Sequence, residues 1–208
     1  MDIVDARVEA YLEELIPQRD PTLEEMEHLG RRLRFPIVGP LVGRLLCQVA
    51  TLSGARRVFE MGSGFGYSAY WFSKGMSKEG EIFCTDGDRE RLQRAEEFFK
   101  QGQPARRVRF LEGDAIELID QIEGTFDIIF IDIDKARYPQ AFHKAMPRLK
   151  SGGLLIADNV LWFGSVITPS EDPDTLGIQG YNRLVFESPE LFSTLLPLRD
   201  GVSISLKS

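Results

Sequence analysis

The chain has 208 residues, 43% of them hydrophobic and 27% charged, with a formal net charge of −7 at pH 7. That length holds one domain with a sizeable core, and the composition is that of an ordinary soluble globular protein. The acidic balance speaks against a nucleic-acid backbone or an anionic membrane surface as the main partner and favours a small neutral or cationic ligand.

Over residues 4–16, Val4, Val8, Leu12, Leu15 and Ile16 recur at helical spacing until Pro17 ends the pattern. Thr22 followed by Glu25 reads as a capping box for a second helix reaching about Arg34. Pro36 and Pro40 then break the chain, and residues 41–52 predict a third helix closed by Ser53-Gly54. These helices are expected beside a sheet or over its ligand edge.

Next, apolar Val58-Phe59 runs through Glu60 into Gly62, Ser63, Gly64 and Gly66, and helical spacing resumes from Ser68. This predicts strand, tight turn and helix, with free N–H groups and a positive helix end facing a ligand. The third glycine comes one residue too early for a dinucleotide fingerprint, and no Gly-Lys-Ser/Thr follows. A short strand over residues 81–85 closes on Asp86, which is placed to bind ribose hydroxyls or else to cap the next helix.

A third strand is predicted over residues 108–112 before Gly113-Asp114-Ala115, a fourth over residues 126–131, and a fifth over residues 154–157 after a Gly152-Gly153 turn. Alternation of short apolar strands with helical segments indicates a parallel sheet with helices on both faces. Residues 164–180, rich in Pro, Gly, Asp, Ser and Thr, read as a mobile loop. Residues 191–198 and 202–206 read as a terminal hairpin joined by a tight Asp200-Gly201 turn. Cys47 and Cys84 lack companion histidine spacing and are expected as reduced core thiols; His28 and His143 are expected on helix surfaces. No basic segment leads into an apolar one and no run nears ~18 apolar residues, so the expected address is cytoplasmic, with no membrane partner.

Two successive strands end in oxygen-bearing side chains, Asp132 and Asp134 on one, Asp158 and Asn159 on the next. Neighbouring parallel strands lie ~4.8 Å apart, so Asp132, Asp158 and Asn159 are candidates for an all-oxygen site suited to Mg²⁺, Mn²⁺ or Ca²⁺. The plain alternative is that each caps a helix or a turn. Lys135, three positions after Asp132, is a candidate base, since a nearby cation disfavours its protonated form; otherwise it is a solvated lysine.

Taken together, Glu60-x-Gly62 with Gly66-Tyr67-Ser68, Asp86, Gly113-Asp114-Ala115, Asp132-Ile133-Asp134-Lys135 with Tyr138, and Asp158-Asn159-Val160-Leu161-Trp162 resemble the cation-dependent class I O-methyltransferases, the family of catechol and caffeoyl-CoA O-methyltransferases and their bacterial relatives. Leu196-Pro197 with Asp200-Gly201 extends the match, and Gly43-Arg44-Leu45-Leu46 is similar to the segment that covers the cofactor. The resemblance implies a Rossmann-like α/β fold with a mostly parallel seven-stranded sheet and an antiparallel C-terminal hairpin. It implies a single methyltransferase domain, with residues 1–54 as covering helices and 55–208 as the core, and a homodimer.

By the same resemblance, Glu60, Gly62, Ser63 and Ser68 would hold the methionine part of S-adenosylmethionine, Asp86 the ribose and Ala115 the adenine edge. Asp134 and Val38 would complete the cofactor contacts; Asp132, Asp158 and Asn159 would bind the metal and Lys135 would be the base. Catalysis would rest on Lys135 and Asp132, with a small catechol-like aromatic as acceptor and Trp162 and Phe163 as an apolar wall or as plain core. Phe163 stands where the plant caffeoyl-CoA enzymes carry asparagine, and the opening helices show no obvious basic cluster for a coenzyme A phosphate. An NAD-dependent oxidoreductase and a non-catalytic S-adenosylmethionine-binding module are the alternatives.

Overall fold

The computed structural model describes residues 3–102 and 107–208. Seven strands form one sheet in the order β3-β2-β1-β4-β5-β7-β6. Strands β1 (Arg57–Met61), β2 (Glu81–Asp86), β3 (Arg107–Glu112), β4 (Phe126–Ile131) and β5 (Leu149–Ala157) run parallel. The last two, β6 (Leu191–Leu196) and β7 (Val202–Lys207), are antiparallel, and β7 inserts beside β5. The expected mostly parallel sheet with an antiparallel C-terminal pair is what forms.

Strand side chains alternate between two cores, as a period of two requires. Val58, Ile128 and Phe130 pack with α2 (Pro21–Leu33), α3 (Gly39–Ser53), α4 (Tyr67–Gly75) and the end of α5 (Arg89–Gly102). Phe59, Ile129 and Ile131 pack with α6 (Ala115–Gln121), α7 (Tyr138–Ala145) and α8 (Pro173–Glu187) on the other face. Both faces being covered explains why these strands read as nearly continuous apolar runs. The opening helix α1 (Ala6–Glu14) has no buried residue.

Several local expectations are corrected. Helix α2 is capped by Asp20, whose carboxylate accepts from Leu23 N at 3.0 Å with Pro21 at the first helical position, so the Thr22/Glu25 capping box does not form. Pro40 opens α3 instead of breaking the chain, because the first turn needs no N–H from it. Strand β5 already runs from Leu149 through Gly152-Gly153, with a register shift against β4 where a turn was expected. Residues 164–180 are largely ordered as a 3₁₀ turn (Trp162–Ile167) and α8, which Asp172 and Pro173 initiate. The hairpin connection spans residues 197–201 and is longer than a tight Asp-Gly turn. Both cysteines are free, with Cys84 buried.

Candidate active site

A cleft of about 680 Å³ opens over the carboxyl ends of β1, β2 and β4, the edge where a doubly wound sheet places its ligands. Its floor is the glycine turn. Gly62 has φ +84°, and a Cβ there would lie under 3.0 Å from the carbonyl oxygen of Asp132, so only glycine lets β1 end against β4 in this way. Ser63 stitches the turn to β2: its N–H donates to Thr85 O at 2.8 Å and its hydroxyl accepts from Thr85 N at 3.0 Å. Asp86 accepts from Gly64 N at 2.9 Å and from Asp88 N at 2.8 Å. Helix α4 begins after Gly66 with no side-chain cap, leaving its positive end toward the cleft.

Beneath the turn, Glu60 is fully buried and neither carboxylate oxygen has a hydrogen bond of proper geometry. Burial pushes its pKa up to about 7; the nearby hydroxyls of Ser63 and Ser68 offset part of this, while the charges of Asp132 and Asp86 add to it. A buried carboxyl without a donor is costly, and a cationic ligand group beside it would relieve that cost.

At the other end of the cleft, Lys135 Nζ donates to Asp132 Oδ1 at 2.8 Å and to Ile133 O at 3.1 Å. Its side chain is only 11% exposed, which corrects the solvated alternative. Asp158 is buried, and burial followed by the charge of Asp132 raises its pKa. The buried Tyr138 hydroxyl holds their strand ends, lying 2.9 Å from Asp158 O and 3.3 Å from Ile131 O. Asn159 has φ +57° and Trp162 and Phe163 have φ +44° and +52°. The loop that carries them is tied to the β6–β7 connection by Val160 N to Gly201 O, Leu161 N to Asp200 O and Phe163 N to the Asp200 carboxylate.

Val38, Gly62, Ser63, Ser68, Asp86, Ala115, Asp132, Asp134 and Lys135 all line the one cleft. Glu60 lies under its floor, and Asp158 and Asn159 stand outside the lining, beside Asp132 and Asp200. Gly43 does not cover the cleft: it lets α3 lie against Trp71 of α4, where a Cβ would clash. Sequence reasoning passed over Phe35 and Arg91, whose guanidinium sits 4.9 Å from the Phe35 ring as part of the cleft wall. Neither carries a local signal, since one precedes a proline and the other looks like a solvated helix residue. Arg19, Arg31 and Arg34 of the opening segment, spread along the sequence, meet Arg199 around a second cavity as a basic cluster.

The O-methyltransferase family profile matches residues 18–208. A Mycobacterium tuberculosis protein named as a probable O-methyltransferase is 32% identical over 192 residues, covering 88% of this chain and 86% of its own. Caffeoyl-CoA O-methyltransferase 2 of Eucalyptus globulus is 27% identical over 216 residues, covering 96% and 87%. Among solved structures, the O-methyltransferase from Bacillus cereus in complex with SAH superposes with a TM-score of 0.89 at 28% identity, over 97% of each chain.

Proposed function

The chain belongs to the O-methyltransferase family and is an S-adenosylmethionine-dependent O-methyltransferase, and on that premise we propose that it methylates one hydroxyl of a small catechol-like acceptor with the help of a divalent cation. The observation that carries this reading is the Lys135 and Asp132 pair set beside buried Asp158, at the mouth of a cleft floored by the glycine turn. The family match leaves the dinucleotide alternative without support.

The donor chemistry fits a hard cation. Asp132 and Asp158 raise each other's electrostatic cost, which a dication would relieve, and the amide of Asn159 would supply a third, neutral oxygen. Among the described residues no three His, Cys, Asp or Glu gather as a metal set, so the amide is essential to this reading. Mg²⁺ is the first choice, with Mn²⁺ or Ca²⁺ as alternatives. For the cofactor, Glu60 with Gly62, Ser63 and Ser68 would hold the methionine part, Asp86 the ribose and Ala115 the adenine edge, with Val38 and Asp134 completing the contacts. The orphaned Glu60 carboxyl suits a cationic amino group.

When bound, S-adenosylmethionine supplies an electrophilic methyl group and the cation a Lewis acid toward the acceptor oxygen. Lys135, held by Asp132 and the Ile133 carbonyl, would take the hydroxyl proton at Nζ in its neutral amine form, becoming the ammonium that Asp132 pairs with. Trp162, whose ring lies 5.9 Å from Lys135 Nζ, and the exposed Phe163 beside it would offer an apolar wall to an aromatic ring. The homodimer and the cytoplasmic setting belong to the same proposal; no described helix is long and apolar enough to cross a membrane.

Transfer of labelled methyl to a panel of catechols, with Mg²⁺ in one reaction and EDTA in another, tests the reading. Label in the Mg²⁺ reaction alone is expected. Equal label in both would remove the cation from the mechanism.

A further inference from the structure

The Asp200-Gly201 pair closes no tight turn, and its neighbours give it a different role. It lies along residues 159–163, the loop that carries Asn159 and Trp162. Asp200 O accepts from Leu161 N at 2.9 Å, Gly201 O accepts from Val160 N at 3.1 Å, and the Asp200 carboxylate accepts from Phe163 N through Oδ1. A Cβ on Gly201, itself at φ +90°, would lie under 3.0 Å from Leu161 N, so glycine is what lets backbone meet backbone at this point.

The loop is strained. Among the described residues five non-glycine positions have left-handed φ, and three of them, Asn159, Trp162 and Phe163, are here. Bulky side chains seldom adopt that conformation, and it persists where the surroundings impose it. Its consequence is placement: Asn159 follows directly on Asp158, and the Trp162 ring comes to 5.9 Å from Lys135 Nζ. Asn182 of α8 gives the loop a further anchor, donating from Nδ2 to Val160 O at 2.8 Å.

The second oxygen of Asp200 also has to be accounted for. Oδ2 is buried with no hydrogen bond of proper geometry, a costly state for a carboxylate. The Asn159 side chain acts on this same carboxylate as a hydrogen-bonding neighbour. Because a carboxylate only accepts, the Asn159 amide turns its N–H₂ toward Asp200 and keeps its oxygen for a cation.

We propose that Asp200 is a positioning residue of the reaction centre, fixing the loop through Oδ1 and the orientation of the Asn159 amide through Oδ2. The inference rests on the divalent-cation reading above and adds to it a residue that acts only through others.

The test compares the unaltered protein with Asp200→Asn and Asp200→Ala, without acceptor. Mn²⁺ alone is titrated by its paramagnetic resonance signal, with Mg²⁺ as competitor, and the demethylated cofactor is titrated by calorimetry. Acrylamide quenching follows Trp162, which is partly exposed while the other tryptophan, Trp71, is buried. Asp200→Asn keeps an acceptor for Phe163 N but presents N–H₂ where Oδ2 stood, so Mn²⁺ affinity should fall about tenfold with quenching unchanged. Asp200→Ala should lose at least as much Mn²⁺ affinity and raise quenching as well. Cofactor affinity should hold in both variants, since the bonds of Asp200 go to the loop and not to the glycine turn. Should Asp200→Ala fail to fold, Asp200→Asn carries the test. Unchanged Mn²⁺ affinity in Asp200→Asn, or a fall matched by an equal fall in cofactor affinity, overturns the inference and leaves the cation reading standing. Failure of the unaltered protein to bind either cation overturns both.

Discussion

Gly177 of α8 rests on the carbonyl of Lys135: a Cβ built on Gly177 would lie under 3.0 Å from that oxygen and from the Ala136 Cα. Helix and turn are packed backbone to backbone, which is how the lysine is held beside Asp132. Gly177→Ala gains roughly 1 kcal/mol of helix propensity but must displace the turn, at a cost of about 1–3 kcal/mol. The expected result is a net loss of stability in urea unfolding, and a fall in methyl transfer while affinity for S-adenosylmethionine is kept.

Glu60 makes the stability of the ligand-free protein depend on pH. Its pKa rises from 4.5 to about 7 on folding, so between those values the folded protein keeps a proton that the unfolded chain releases. Stability is therefore fully present below about pH 4.5 and declines as pH rises toward 7, by up to about 3 kcal/mol at 1.4 kcal/mol per unit. Glu60→Gln should flatten this slope, and thermal melts across pH 4.5–8 decide it. A slope equal in both proteins would show that Glu60 is ionised throughout.

Lys135→Ala is expected to lower kcat by about 10²–10⁴ while calorimetric binding of the cofactor is unchanged, because the lysine's bonds go to Asp132 and Ile133 and not to the glycine turn. Retention of rate above pH 9 in the variant would identify a different proton acceptor.

Tyr138→Phe removes the hydroxyl shared by the carbonyls of Ile131 and Asp158. The loss is expected at about 1–2 kcal/mol together with weaker activation by Mg²⁺, since the ends of β4 and β5 are no longer tied. A Mg²⁺ titration of methyl transfer reads this directly.

Much of the architecture and the candidate site was legible because its signals are local. Strand side chains keep a period of two, glycines mark the turn after β1, and parallel strands bring their carboxyl ends to a single edge, so Asp86, Asp132 and Asp158 stand along that edge in the order of their strands. Residues 164–180 misled because Gly177 and Gly180, which look like loop residues, are there for close approach to Lys135 and Pro139. The Thr22 box misled because Asp20 and Pro21 offered the better start two residues earlier.

Only the tertiary structure decided the rest. Insertion of β7 between β5 and β6 turns the β6–β7 connection back over the site, bringing Asp200 to Phe163 and Arg199 to Ile37. The arginine cavity and the donorless burial of Glu60 follow from such long-range placement. A sequence states which groups a chain carries and how each segment folds; which charges end up sharing a low-dielectric space depends on contacts between residues far apart along it.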